Sequence, residues 1–162
     1  MTPDINIALT EMSVCVALCS IPEPKNGLVS PQFLELVKSI EPELEFNAKP
    51  YDVVILDSMP LNLSDLKESM NKKGVLVCKI GNGDIESAKE ALKTLSSNFR
   101  IAMPFLNLGL AFASDFYHPT ADIVLQKADL IDDLSVYNSD YHKASFALPT
   151  WQIKALLGIA KN

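Results

Sequence analysis

One stretch of the chain brings together residue types that can do chemistry. Tyr51 to Pro60 reads YDVVILDSMP. The apolar run Val53 to Leu56 delivers an acid, Asp57, into a turn marked by Ser58 and Pro60. A carboxylate placed there can hold a cationic amine or take its proton, and open α/β sheets bind ligands just beyond the carboxyl ends of their strands. Asp, Ser and Pro at a strand end are also ordinary turn chemistry. The other candidates are weaker. His142 sits among packing residues and reads as a hydrogen-bonded structural histidine, whereas His118, before Pro119, reads as surface or turn. Neither has a partner at ligand spacing, so no metal is expected. Tyr51, Tyr117, Tyr137 and Tyr141 could offer aromatic faces to an alkyl cation. Gly81-Asn82-Gly83 lacks the spacing of a phosphate-binding fingerprint and reads as a plain strand-to-helix loop.

Composition narrows the field. At 162 residues, 48% hydrophobic and 21% charged, the chain suits one globular domain with a proper core. A net charge of −6 argues against nucleic acid, because a phosphate-binding face needs clustered Lys and Arg. The apolar run Val14 to Ile21 is preceded by Asp4 and Glu11 and no basic residue, a poor signal peptide. It is also too short to span a membrane, so a cytoplasmic protein is expected. Cys15, Cys19 and Cys78 form no zinc pattern and read as buried structural thiols.

The elements that must position Asp57 follow from patterning. Met12 to Ser20 reads as a strand covered on both faces, with Cys15 and Cys19 on one side of it. Ile21 to Asn26 is a loop. Ser30 caps and Pro31 opens a helix with Phe33, Leu36, Val37 and Ile40 inward, ended by Pro42, and Glu43 to Pro50 is a linker. Val53 to Leu56, a helix over Asn62 to Asn71 stopped by Gly74, and Val75 to Ile80 make a parallel βαβ unit. Asp84 caps a helix with Ile85, Ala88, Leu92 and Leu95 inward. Arg100 to Leu106 and Leu108 to Phe116 are too close for a crossover and must form an antiparallel hairpin. A helix follows over Ala121 to Ile131, and a last one starts near Thr150, docked by Trp151. The order is that of the second half of a methyltransferase-like Rossmann sheet, α/β and mostly parallel with a C-terminal antiparallel hairpin, lacking the usual N-terminal portion. The division expected is one truncated domain over 1–162, with a divergent strand and helix in 1–49, a central region over 50–150 and a C-terminal helix in 151–162.

Two stretches carry a resemblance. YDVVILDSMP resembles the YDVIIVDSSDP-type segment of the spermidine synthase family, the polyamine aminopropyltransferases. VYNSDYHKASFALP, Val136 to Pro149, is similar to that family's C-terminal YYN…H…A.FALP signature, with Tyr137, Asn138, His142, Ala144, Phe146, Ala147, Leu148 and Pro149 in register. GLAFASDFYHP and KKGVLVCKIGN resemble the family's hairpin strand and its central "pGGilv" strand.

The resemblance implies transfer of an aminopropyl group from decarboxylated S-adenosylmethionine, as co-substrate, to a polyamine amine such as putrescine. It implies Asp57 as the residue that holds and deprotonates the amine, with Ser58 beside it and Tyr137 lining the substrate. The chain also departs from the family. The second Asp of the DSSDP segment is missing, Pro104 is followed by Phe105 rather than a P-x-Y-P tyrosine, and no GGGDG loop precedes Asp57. These departures support an alternative: a non-catalytic relative, a binding or assembly module working as a homo-oligomer or paired subunit through an uncovered sheet edge beside Met12 to Ser20.

Overall fold

In the computed structural model, which describes residues 2–162, a six-stranded sheet runs in the order β2-β1-β3-β4-β6-β5. The strands are β1 (Asn26–Val29), β2 (Glu45–Phe46), β3 (Tyr51–Leu56), β4 (Met70–Lys79), β5 (Ile101–Phe105) and β6 (Leu110–Ser114). The first four are parallel, and β6 returns antiparallel between β4 and β5. The expected βαβ unit and closing hairpin are both present. Chain order reverses beside β1: the chain leaves it to form β2 on one side and comes back to form β3 on the other. That reversal is the switch point at which open α/β sheets bind ligands.

Strand side chains alternate between two cores. Val53, Ile55, Val75, Val77, Leu110 and Phe112 face one layer, while Val54, Leu76, Cys78, Ala111 and Ala113 face the other. The second layer is built on α3 (Leu63–Glu68) and α4 (Ile85–Asn98), whose caps are Asn62 and Asp84. Asp84 does what the sequence suggests, accepting from Ser87 N–H at 3.0 Å, and Leu92 and Leu95 are fully buried.

The first layer contains the main correction. Met12 to Ser20 is not a strand: Met12 to Leu18 is the inner part of α1 (Ile5–Leu18), with Cys19 as its C-cap. The helix is capped at its start by Asp4, whose carboxylate accepts from Ile7 N–H at 3.0 Å. A continuous apolar run cannot be told from a buried helix by periodicity, and length decides between them. Counted from the Asp4 cap, α1 has 14 residues, too long for a typical strand. It enters from solvent at Ile5 and ends buried, with Met12 and every residue from Val14 to Cys19 fully inaccessible. Cys15 and Cys19 therefore lie one helical turn apart, both as free thiols.

The uncovered edge expected beside this segment goes with it. The sheet edges are instead β2, only two residues long, and β5, where Lys161 pairs back onto Ala102.

Smaller corrections follow the same logic. Asn26–Val29, which begins on the last residue of the expected loop, is a strand that the sequence reading does not foresee, and the linker holds β2. Gly74 does not stop a helix but lies inside β4, where an added Cβ would meet Asn71 O at 2.9 Å. The hairpin turn is longer than one residue, with Leu106, Asn107 and Leu108 all at positive φ. The helix foreseen over Ala121 to Ile131 is only α5 (Leu125–Leu130). The last helix, α7 (Thr150–Ala155), docks through Gln152 and the following Leu156, while Trp151 stays 59% exposed.

The C-terminal segment is tied to α1 by one carboxylate. Glu11, 8% exposed, accepts from the backbone N–H groups of Ser135, Val136 and Tyr137 at 2.7 to 3.1 Å. Next to it, α6 (Ser139–Ala144) is capped by Asn138 and presents His142 inward. No described helix is long and apolar enough to cross a membrane.

Candidate functional site

Asp57 follows β3 directly, at the carboxyl end of the sheet and at the switch point. Its neighbour across the switch is Ser30, the residue that follows β1. The two strands are in register, Val29 opposite Ile55, and Ser30 N–H donates to Ile55 O at 2.9 Å. Ser30 stands at the head of the short 3-10 turn Pro31–Phe33 that leads into α2 (Leu34–Ile40), yet its side chain caps nothing there. Its hydroxyl turns to Asp57 instead, accepting from Asp57 N–H at 3.1 Å and donating to Oδ1 at 3.3 Å. Gln32 Nε2 donates to the other carboxylate oxygen at 2.7 Å.

These donors set the electrostatics. The hydrogen bond from Gln32, opposed by partial desolvation and helped by that from Ser30, holds the Asp57 carboxyl below the usual aspartate range. Asp57 is therefore a firmly ionised, solvent-exposed anion, suited to binding a cation and a weak proton acceptor until a substrate displaces those donors.

The carboxylate opens into a groove of about 380 Å³. Its floor is Lys79 of β4 and Leu110 of β6, and its walls are Gln32 and Phe33 on one side and Asn6, Leu9, Thr10 and Ser13 of α1 on the other. The alternation of β3 and β4 explains why Asp57 and Lys79 both face α1. Leu56 pairs with Cys78, so the next step brings Asp57 opposite Lys79, in phase with Ile55 and Val77.

Ser58 is exposed beside Asp57. Tyr137 lies elsewhere. It is 6% exposed, its hydroxyl is 2.7 Å from His142 Nδ1, and it does not line the groove that holds Asp57. Burial pushes its phenol pKa well up. His142 is fully buried, its Nε2 2.8 Å from Pro119 O, and burial drives its imidazole down to about 4, so it is neutral at ordinary pH. Tyr137 and His142 thus form a structural pair under the C-terminal segment. The thiols are equally inert, with desolvation pushing Cys78 up to about 12 and Cys15 higher still. Among the described residues no cluster of His, Cys, Asp or Glu could hold a metal.

Sequence reasoning missed Ser30, Gln32, Lys79 and Ser13 as parts of this site. Only Ser30-Pro31 carried a signal, and that signal pointed to a helix start.

Comparison with known proteins agrees with this architecture. No family model matches the chain. The polyamine aminopropyltransferase of Helicobacter acinonychis (strain Sheeba) is 32% identical over 117 aligned positions, which take in 65% of this chain and 45% of that protein. That of Helicobacter pylori (strain G27) is equally similar. The chain thus spans about half the length of the curated relatives it matches. Among solved structures, spermidine synthase from Thermotoga maritima superposes with a TM-score of 0.75 at 22% identity, over 94% of this chain and 74% of that one. A spermidine synthase in complex with the transition-state analogue AdoDATO superposes at 0.74 with 21% identity, over 93% and 74%. By sequence and by fold, this is a spermidine synthase-like chain, related to the polyamine aminopropyltransferases.

Proposed function

We propose that the chain binds a primary alkylamine at Asp57 and takes part in aminopropyl transfer from decarboxylated S-adenosylmethionine to that amine. The observation that carries this reading is the ionised, exposed Asp57 carboxylate at the switch point, facing a groove of small-molecule size. In such a transfer the amine nitrogen attacks the propyl carbon bonded to the sulfonium. A C–N bond forms, the C–S bond breaks with its electron pair going to sulfur, and the amine loses a proton. Asp57 would receive the ammonium as a salt bridge and orient it, with Ser58 adding a second oxygen. Before attack it would accept one ammonium proton, freeing the nitrogen lone pair, and pass that proton to solvent. We assign Tyr137 to the same reading as a framework residue that fixes the C-terminal segment. Three buried free thiols suit a reducing compartment, which supports a cytoplasmic location under this reading.

A second reading is favoured by one observation on the donor side. The turn after β1 is Ser30-Pro31-Gln32, with no glycine, and Pro31 offers no N–H. A nucleoside arriving there would meet side chains already committed to Asp57 rather than a run of free backbone donors. A non-catalytic relative that keeps amine binding, alone or as a paired subunit, fits that feature.

Release of methylthioadenosine from decarboxylated S-adenosylmethionine and putrescine separates the two. The enzyme reading expects turnover that Asp57→Asn abolishes. Amine binding without turnover establishes the second reading, and the absence of both contradicts the two together.

A further inference from the structure

Three features of the groove are not used by amine binding at Asp57. The first is Lys79, a half-buried cation on the groove floor opposite Asp57. Neighbouring strands stand about 4.8 Å apart, yet no ion pair within 4.0 Å joins Lys79 to Asp57 or to any other carboxylate among the described residues. The second is Ser13, fully buried on α1, whose hydroxyl is the one buried side-chain polar atom without a hydrogen-bond partner among the described residues. Ser13 lines this same groove. Leaving a buried hydroxyl unpaired is unfavourable, and a bound acceptor would remove that cost. The third is that Asn6 and Thr10, which also line the groove, carry donor groups.

A diamine fits this arrangement badly. With one ammonium on Asp57, its second ammonium would share a small groove with Lys79, where like charges repel. A ligand with an ammonium at one end and an anionic acceptor at the other satisfies Asp57, Lys79 and Ser13 together. We infer that the groove between α1 and the carboxyl ends of β3 and β4 selects an amino-carboxylate, a zwitterion, with its ammonium on Asp57 and its carboxylate on Lys79 and Ser13. This rests on the reading of Asp57 as an amine-binding group and narrows the class of amine.

Calorimetric titration of the full chain with γ-aminobutyrate and with putrescine tests it. Wild type should bind γ-aminobutyrate at least about tenfold tighter than putrescine, a difference of about 1.4 kcal/mol. Lys79→Met should reverse the order. Ser13→Ala should weaken γ-aminobutyrate while raising the melting temperature of the free chain, a pairing that a purely structural serine would not produce. Putrescine binding equal to or tighter than γ-aminobutyrate in wild type, lost in Asp57→Asn, would overturn the zwitterion and leave amine binding standing. γ-Aminobutyrate binding that survives Asp57→Asn but not Lys79→Met would overturn the amine half and the reading beneath it. Failure of both compounds to bind would overturn both.

Discussion

Ser30 and Asp57 hold each other reciprocally across the switch point: the Ser30 hydroxyl accepts from Asp57 N–H at 3.1 Å and donates to Asp57 Oδ1 at 3.3 Å. The first residue after β1 thereby fixes the first residue after β3, and the carboxylate is held at the end of the sheet by the backbone pairing of these two strands. Preorganisation of this kind lowers the ordering cost when a cation binds.

The first prediction concerns that pair and its neighbour. Ser30→Ala and Gln32→Ala should each raise the Asp57 carboxyl toward the ordinary aspartate range, Gln32→Ala by more, since its hydrogen bond is the larger cause of the depression. A carboxyl-carbon NMR titration reads this directly. The sign for stability follows. A depressed folded-state pKa adds stability that is present above the unfolded value and is lost as pH falls through the folded one. The wild-type contribution should therefore persist to lower pH than in either variant.

His142 supplies a second pH signature. With its folded pKa near 4 against an ordinary 6.5, the unfolded chain takes up a proton before the folded one. Stability should be fully present above about pH 6.5 and decline as pH falls toward 4, by roughly 3 kcal/mol from this one group. Urea unfolding across that window measures it, and His142→Gln should flatten the decline even if it lowers stability throughout. Tyr137→Phe should leave one buried imidazole nitrogen unpaired, at a cost of about 1–3 kcal/mol.

Glu11 gives a third prediction. Its carboxylate serves three backbone N–H groups and is the stitch between α1 and the C-terminal segment. Glu11→Ala should strand those donors and destabilise by about 2–4 kcal/mol. It should also increase amide exchange from Ser135 to Tyr137 ahead of the rest of the chain, as hydrogen-exchange mass spectrometry would show.

Gly74 gives a fourth. A methyl group there would lie 2.9 Å from Asn71 O and 3.1 Å from Tyr51 O, two backbone atoms that cannot step aside. Gly74→Ala should cost about 1–3 kcal/mol in urea unfolding.

How much of this was legible in the sequence depends on the element. The βαβ unit and hairpin were readable because Val53 to Leu56 and Val75 to Cys78 are short apolar runs bounded by turn residues, and because Asn62 and Asp84 mark helix starts. Helix α1 was misread because its buried half is apolar on every side, which erases the periodicity that distinguishes helix from strand. Its true signal, the Asp4 cap, lies eight residues upstream of the run that drew attention. Asp57 was found from its own segment. Ser30, Gln32, Lys79 and Ser13 were not, because strand pairing and a helix crossing the sheet bring them to Asp57 from three separate segments. Lys79 looked like an ordinary strand-end lysine, and only the β3–β4 register places it opposite Asp57.

The central claim is that Asp57 binds an amine. Isothermal titration of putrescine and γ-aminobutyrate into wild type and Asp57→Asn tests it most directly. Saturable binding of at least one of them to wild type, weakened about tenfold or more by Asp57→Asn, is the predicted result. Equal binding by the two proteins, or none by wild type, would contradict the account.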